Sequence, residues 1–354
     1  MSSVTVKNRI PFWDNMKGIL IFLVVYGHLL ENMTSPAAVF LYKGIYLFHM
    51  PLFVVCSGYL AKFSPKRILK RILLPYIICQ AVLCLTNPSK SMQFTTPVWT
   101  LWYLLALTVW MITIPFLEEC PKKARFLVVL GAFALGSLCG MDDTVGYYLS
   151  VSRIVVFYPF FILGYYGKQW IKDHGWEQGL WQTGEIFHNK WIRTASFLAL
   201  AAAIGLFLYA EPFIKVTWLY GSYSYAKGGY GIGCRLISYL VACQIGLFLF
   251  VWVPKTNTFF GILGANSMAI YLLHGSVISS MNTIIPQYFR NWYGTLPGVI
   301  LAFGICYGIL WGVKRSMLLW RTGKEKWRKR ELEFTKGDSR GYRRLSHRTV
   351  MAPK

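Results

Sequence analysis

Apolar stretches of close to twenty residues, separated by short polar connections, recur along the chain from near residue 16 to residue 313. A helix needs about 20 apolar residues to cross the hydrocarbon core of a bilayer. Read with that window, the sequence predicts ten spanning helices, at 16–33, 39–60, 69–86, 98–117, 125–141, 151–170, 192–210, 235–253, 258–281 and 295–313. The expected fold class is all-α, a polytopic membrane helix bundle of about ten transmembrane helices. Prolines inside the stretches (Pro51, Pro75, Pro115 and Pro159) predict kinks whose freed carbonyls need partners within the bundle. No small-residue cleavage site follows the first stretch, and it contains a histidine, so it is expected to stay as a span. Residues 1–313 form the expected membrane domain. Residues 314–354 are a basic tail, read as a solvated or headgroup-binding extension.

Composition agrees with the pattern. Hydrophobic residues make up 55% of the 354 and charged ones only 14%, against about 25% in soluble domains, which excludes an ordinary soluble enzyme. The net charge of +23 suggests nucleic acid in a soluble protein, but in an apolar chain it can mark cytoplasmic loops. Placement decides: 29 of the 37 lysines and arginines fall in segments assigned to one face, from Lys7 and Arg9 to the tail. Both termini are therefore expected in the cytoplasm, with the bilayer rather than nucleic acid as partner. The eight cysteines show no paired spacing and no histidine cluster, so neither disulfides nor a metal site is expected.

Ionisable groups inside a span are costly and default to functional candidates. Here they are Lys17, His28, His49 and His274. No carboxylate lies well within a stretch, which counts against a proton- or sodium-coupled transporter. Lys17 and His28 are eleven residues apart, roughly 20° past three helical turns, so they share a face about 16 Å apart in rise. Asp14 lies one turn before Lys17, and the face between lysine and histidine (Ile21, Val24, Val25) is apolar. His49 sits beside the Pro51 kink, and Ser267, Tyr271 and His274 form a short polar stripe at i, i+4 and i+7. The bland readings are a snorkelling lysine and interhelical hydrogen bonds. Trp99, Trp102 and Tyr103 open the fourth stretch, and the 211–234 connection is rich in Trp, Tyr and Gly. An interfacial aromatic belt explains these as well as a sugar-stacking platform does.

The ordered set Arg9…Asp14-Asn-Met-Lys17-Gly18…His28, Phe48-His-Met-Pro-Leu-Phe…Ser57-Gly58-Tyr59, Leu101-Trp102-Tyr103, Arg153…Pro159-Phe-Phe…Gly164-Tyr165 and Ser267…Tyr271…His274 resembles the integral-membrane acyltransferase-3 family. The flavour is closest to its fucose 4-O-acetylase-like branch. The family's signature is a basic residue, usually arginine, separated by ten residues from a histidine in the first span. Here Lys17 stands in that place, without arginine's planar fork. The resemblance implies an O-acetyltransferase moving acetyl from cytoplasmic acetyl-CoA to a glycan or glycolipid hydroxyl outside, beside polysaccharide assembly proteins. His28 would be the general base that deprotonates the acceptor hydroxyl, and an acyl-His28 intermediate is equally compatible with the sequence. Tyr271 and His274 would orient it or stabilise the oxyanion. Lys17, Arg9 and Asp14 would serve the donor, with the acyl-pantetheine arm along the apolar face. Arg153, Trp102, Tyr103 and His49 would serve the acceptor. An uncoupled glycan-lipid flippase or exporter and a non-catalytic membrane partner of an assembly system remain open at this point.

Overall fold

The computed structural model describes residues 9–31, 33–86, 95–144, 146–182, 184–284 and 296–348. Lys7, Lys90 and Arg290 of the charge pattern, and the tail beyond 348, lie outside the described residues. Every regular element among the described residues is helical. In chain order they are α1 (Pro11–Leu30), α2 (Pro36–Leu60), α3 (Pro65–Leu85) and α4 (Trp99–Ile112). Next come α5 (Ile114–Glu119), α6 (Lys122–Met141), α7 (Tyr148–Asp173), α8 (Lys190–Phe213) and α9 (Ile232–Trp252). The last are α10 (Phe259–Ala265), α11 (Ser267–Ile284) and α12 (Leu296–Arg348).

Among the described residues seven helices are long and apolar enough to cross a membrane, or eight if α10 and α11, bent by 82°, form one span. The protein is thus a multi-pass membrane protein, and the expected count of ten differs for two reasons. α1 spends its first turns on Asp14, Asn15 and Lys17 and is not among the helices apolar enough along their length to span. The fourth stretch breaks after Ile112, where Pro115 cannot donate to the Met111 carbonyl and the Thr113 hydroxyl donates to Trp110 O at 2.8 Å.

α1 lies in the core, with Phe12, Leu20, Ile21 and Val25 at 0% exposure, as expected of a helix that is apolar nearly all round. Two glycine contacts lock its surroundings. A Cβ on Gly18 would stand 1.9 Å from Phe260 O, and one on Gly264 would stand 1.8 Å from Asp14 O. Backbone meets backbone there, the close approach that small residues permit between membrane helices. A second lock joins α2 and α7: a Cβ on Gly58 would meet Phe161 O at 2.0 Å, and one on Gly164 would meet Val55 O at 2.1 Å. Asn15 ties α1 to the connection before α10, donating to Pro254 O (2.9 Å) and Thr256 O (2.7 Å) and accepting from the Thr258 hydroxyl.

The chain divides into two compact units, Met1–Cys306 and Tyr307–Lys354. All of the site below lies in the first. The second is the remainder of α12, so the basic tail is helical from Lys314 to Arg348.

Candidate active site

The last turn of α1 brings His28 to a junction of four segments. Its Nδ1 stands 2.9 Å from Glu31 Oε2, one turn further on. The Tyr46 hydroxyl of α2 is 3.2 Å from the same nitrogen. The ring of Trp99, from the start of α4, has its centroid 4.8 Å away, and the ring of His274, from α11, 5.3 Å away. With Nδ1–H given to the Glu31 carboxylate, the imidazole keeps its lone pair on Nε2. Trp99 adopts φ 42°, an uncommon region for a residue with a side chain and one that needs support from outside. Gln80, buried in α3, provides it by donating to Thr96 O at 3.0 Å and accepting from Val98 N at 2.9 Å.

The other two histidines are fixed by their own helices. His49 Nδ1–H points to Ile45 O at 2.8 Å; it takes the carbonyl one turn back rather than Leu47 O, which Pro51 leaves free. His274 Nδ1–H is shared between Tyr271 O at 2.8 Å and Ile270 O at 3.1 Å. Each ring therefore carries its lone pair on Nε2. His274 Nε2 is buried and has no hydrogen-bond partner among the described residues. The Tyr271 hydroxyl donates to Thr100 O. Its proton is committed, so the geometry gives neither Tyr271 nor neutral His274 a hydrogen for an oxyanion.

His28, Glu31, Tyr46, His49, Trp99, Trp102, Tyr147, Arg153, Tyr220 and Tyr271 share the wall of one cavity of about 190 Å³. Arg153 is the one lysine or arginine in its wall among the described residues. The guanidinium donates from Nε to Tyr220 O at 3.0 Å and from Nη2 to Ser222 Oγ at 3.4 Å. It lies 5.1 Å from the Trp102 ring and 5.4 Å from the Tyr147 ring. No carboxylate among the described residues forms an ion pair with it.

Other expected site residues lie elsewhere. Tyr103 packs beneath the wall, hydrogen-bonded to Ser57, with its ring 5.4 Å from Tyr271. Lys17, Asp14 and Arg9 form a chain at the opposite end of α1: Lys17 Nζ is 2.9 Å from Asp14, and Arg9 is 3.7 Å from it. The apolar face between Lys17 and His28 offers no open path, because Ile21 and Val25 are fully covered and only Val24 reaches the cavity. Most aromatic residues of the 211–234 connection hold it together instead of facing a ligand. Trp218 stacks on Tyr230 and donates to Gly228 O at 2.9 Å, while Tyr225 donates to Ser137 O. Burial raises the Tyr230 hydroxyl above its ordinary range.

Residues 10–311 match the acyltransferase-3 family model, described as an acyltransferase domain. The chain belongs to this family. It is similar to the nodulation protein NolL of Mesorhizobium japonicum, at 28% identity over 312 residues, covering 78% of this chain and 79% of that protein. A shorter stretch of 68 residues is 47% identical to the nodulation protein NolL of Sinorhizobium fredii, covering 17% of this chain and 18% of that one. No solved structure matches.

As a membrane acyltransferase the protein needs an acyl donor, and among the described residues no group of histidine, cysteine and carboxylate side chains could hold a metal ion. Three polar wall residues escaped the sequence reading of this acyltransferase, Glu31, Tyr46 and Tyr147, while Tyr220 belongs to the aromatic 211–234 connection that the sequence singles out. Glu31 alone had a local signal, its i+3 spacing from His28. The tyrosines reach the wall through tertiary packing, including the Tyr42–Tyr220 hydroxyl contact of 2.9 Å.

Proposed function

We propose that this acyltransferase is an O-acetyltransferase that takes acetyl from acetyl-CoA at the cytoplasmic face and transfers it to a hydroxyl of a glycan or glycolipid at the outer face. The observation that carries the reading is the His28–Glu31 pair at 2.9 Å on the wall of a cavity lined by aromatic rings and Arg153. His28 Nε2 receives the acceptor hydroxyl proton as the oxygen attacks the thioester carbonyl. Glu31 holds the ring by Nδ1 and offsets the charge it gains. The imidazolium then returns the proton to the sulfur as the C–S bond breaks, so the protein ends unchanged. Arg153, Trp102, Tyr147 and Tyr220 would seat the acceptor, the flat rings against sugar faces. Lys17, with Asp14 and Arg9, would mark the donor's mouth about 16 Å away along α1.

The topology follows from charge. Counting α1 and the fourth stretch as spans gives ten, with both termini in the cytoplasm on the lysine- and arginine-rich side. Residues 1–313 are then the catalytic domain and 314–354 its cytoplasmic extension. Replacement of His28 by alanine tests the reading: transfer of labelled acetyl to cell-envelope glycan should vanish while the protein stays in the membrane at normal levels. Full activity in that variant, or equal ester content on surface glycans of cells with and without the gene, would sink it.

A further inference from the structure

The α2–α7 glycine lock has a consequence at the end of the bundle where Lys17 lies. Gly58 and Gly164 allow the two helices to cross with their backbones in contact. One turn beyond Gly164, Lys168 is thereby laid against the last turn of α2, its Nζ 5.7 Å from the centre of the Tyr59 ring. Tyr59 in turn stacks on Trp13 at 3.9 Å, and Trp13 stands one turn before Lys17 on α1. The first turns of α1, just before Lys17, and Lys168 thus meet on the same turn of α2.

Lys168 is half-buried and sits among like charges. Lys62, just past the end of α2, and Lys172, one turn further along α7, both act on it, with Glu177 as the one acid in the group. Three ammonium groups against one carboxylate repel in the empty protein, and a multiply charged anion relieves that repulsion. Lys62 and Lys172 are exposed, so they can reach an anion from water while Lys168 stays held against Tyr59.

We infer that Lys168, with Lys62 and Lys172, forms an anion subsite that holds the 3′-phosphate and diphosphate end of the coenzyme A donor. The inference rests on the acetyl-CoA reading above. Its chemistry is that of point-charge recognition: ammonium groups on flexible stems accept a phosphate cluster without the bidentate geometry of arginine. Its placement fits too. The subsite borders the Lys17 end of α1, where the proposed reading sets the donor's mouth. An anionic lipid headgroup has related chemistry, so the test separates the two sources.

The full-length protein in proteoliposomes is assayed for CoA release with acetyl-CoA and with acetyl-3′-dephospho-CoA, in the presence of cell-envelope glycan. Wild type should prefer acetyl-CoA through a lower KM, by roughly tenfold for one charge-assisted phosphate contact. Lys168→Gln should lose that preference by raising the KM for acetyl-CoA alone, with kcat kept. Lys168→Arg should retain it, and Lys123→Gln, outside the cluster, should leave it unchanged. Turnover without preference in wild type, or preference intact in Lys168→Gln, overturns the subsite. So does a preference that appears only in anionic vesicles and is absent in phosphatidylcholine, which would give the lysines to lipid. No CoA release from either donor by wild type would instead refute the acetyl-CoA reading, and the subsite with it.

Discussion

Glu31→Gln separates charge from geometry at the centre of the site. Glutamine keeps an oxygen facing His28 Nδ1–H, so the ring stays oriented, and the variant lacks only the negative charge. In the proposed mechanism that charge matters when the imidazole takes the acceptor proton, because a carboxylate oxygen 2.9 Å from Nδ1 then faces a cation. Two unit charges about 4 Å apart attract by about 4 kcal/mol at an effective dielectric of about 20, and by about 1 kcal/mol in water. The His28 and Glu31 side chains are 13% and 27% exposed, which places the pair between these limits, at about 2–3 kcal/mol. If that stabilisation belongs to the transition state, kcat falls roughly 30- to 150-fold at about 1.4 kcal/mol per decade. The assay is the initial rate of labelled acetyl incorporation into envelope glycan, normalised to the amount of protein in the membrane. KM for the donor should stay put, since the proposed donor's mouth lies at the other end of α1. A wild-type kcat in Glu31→Gln would refute the pairing as a catalytic device and leave Glu31 as a cap on the helix end.

Three further outcomes follow from the geometry. Gly164→Ala places a methyl group 2.1 Å from a backbone carbonyl that cannot swing aside; it should destabilise the α2–α7 packing by about 1–3 kcal/mol or more. In detergent this reads as a lower unfolding temperature, while Gly131→Ala, with nothing within 4 Å, should leave that temperature unchanged. Gln80→Leu strips the partners from Val98 N and Thr96 O and frees the strained turn at Trp99, so acceptor KM should rise; an unchanged KM would detach Trp99 from the site. Lys255, in the connection after α9, is pushed down by burial to about 8. NMR titration of the dimethylated lysine should give a midpoint near 8, where an exposed lysine titrates near about 10.4. In the folded state the charged form is then penalised below that midpoint, and the penalty fades as pH rises toward the unfolded value.

Much of this arrangement was legible in the chain. Spacing alone set Lys17 and His28 on one face and Tyr271 and His274 on another, because a helix repeats every 3.6 residues whatever it packs against. The contact between His28 and His274 needed the structure, since it depends on the bend after Ala265 that turns α11 toward the end of α1. Glu31 was passed over in a search for carboxylates well within spans, because it lies near the end of the first stretch, 16–33. Trp99 reads from sequence as an interfacial aromatic, and only φ 42° and the Gln80 contacts carry it to the imidazole. Hydropathy alone also hides internal detail: an averaging window passes over the break at Thr113 and the polar first turns of α1.

The distribution of donors and acceptors around the cavity narrows what belongs inside it. The helix carbonyls of Ile45, Ile270 and Tyr271 take the Nδ1 hydrogens of His49 and His274, and Glu31 takes that of His28. Three imidazoles are thereby held with their lone pairs on Nε2, and the Tyr271 hydrogen is spent on Thr100 O. The histidine side of the site can accept hydrogen bonds far more readily than it can give them. His274 is buried and outside the cavity lining, so the imidazole acceptors that a ligand in the cavity meets on this side belong to His28 and His49. Aromatic faces and a single guanidinium make up the other side. A ring compound bearing several hydroxyls satisfies both sides at once, where a hydrocarbon would satisfy only the aromatic one. On the proposed reading, the tautomers that would let His28 act as a base would also favour a polyhydroxylated acceptor, making the chemistry of the base and the choice of substrate two consequences of one hydrogen-bond pattern.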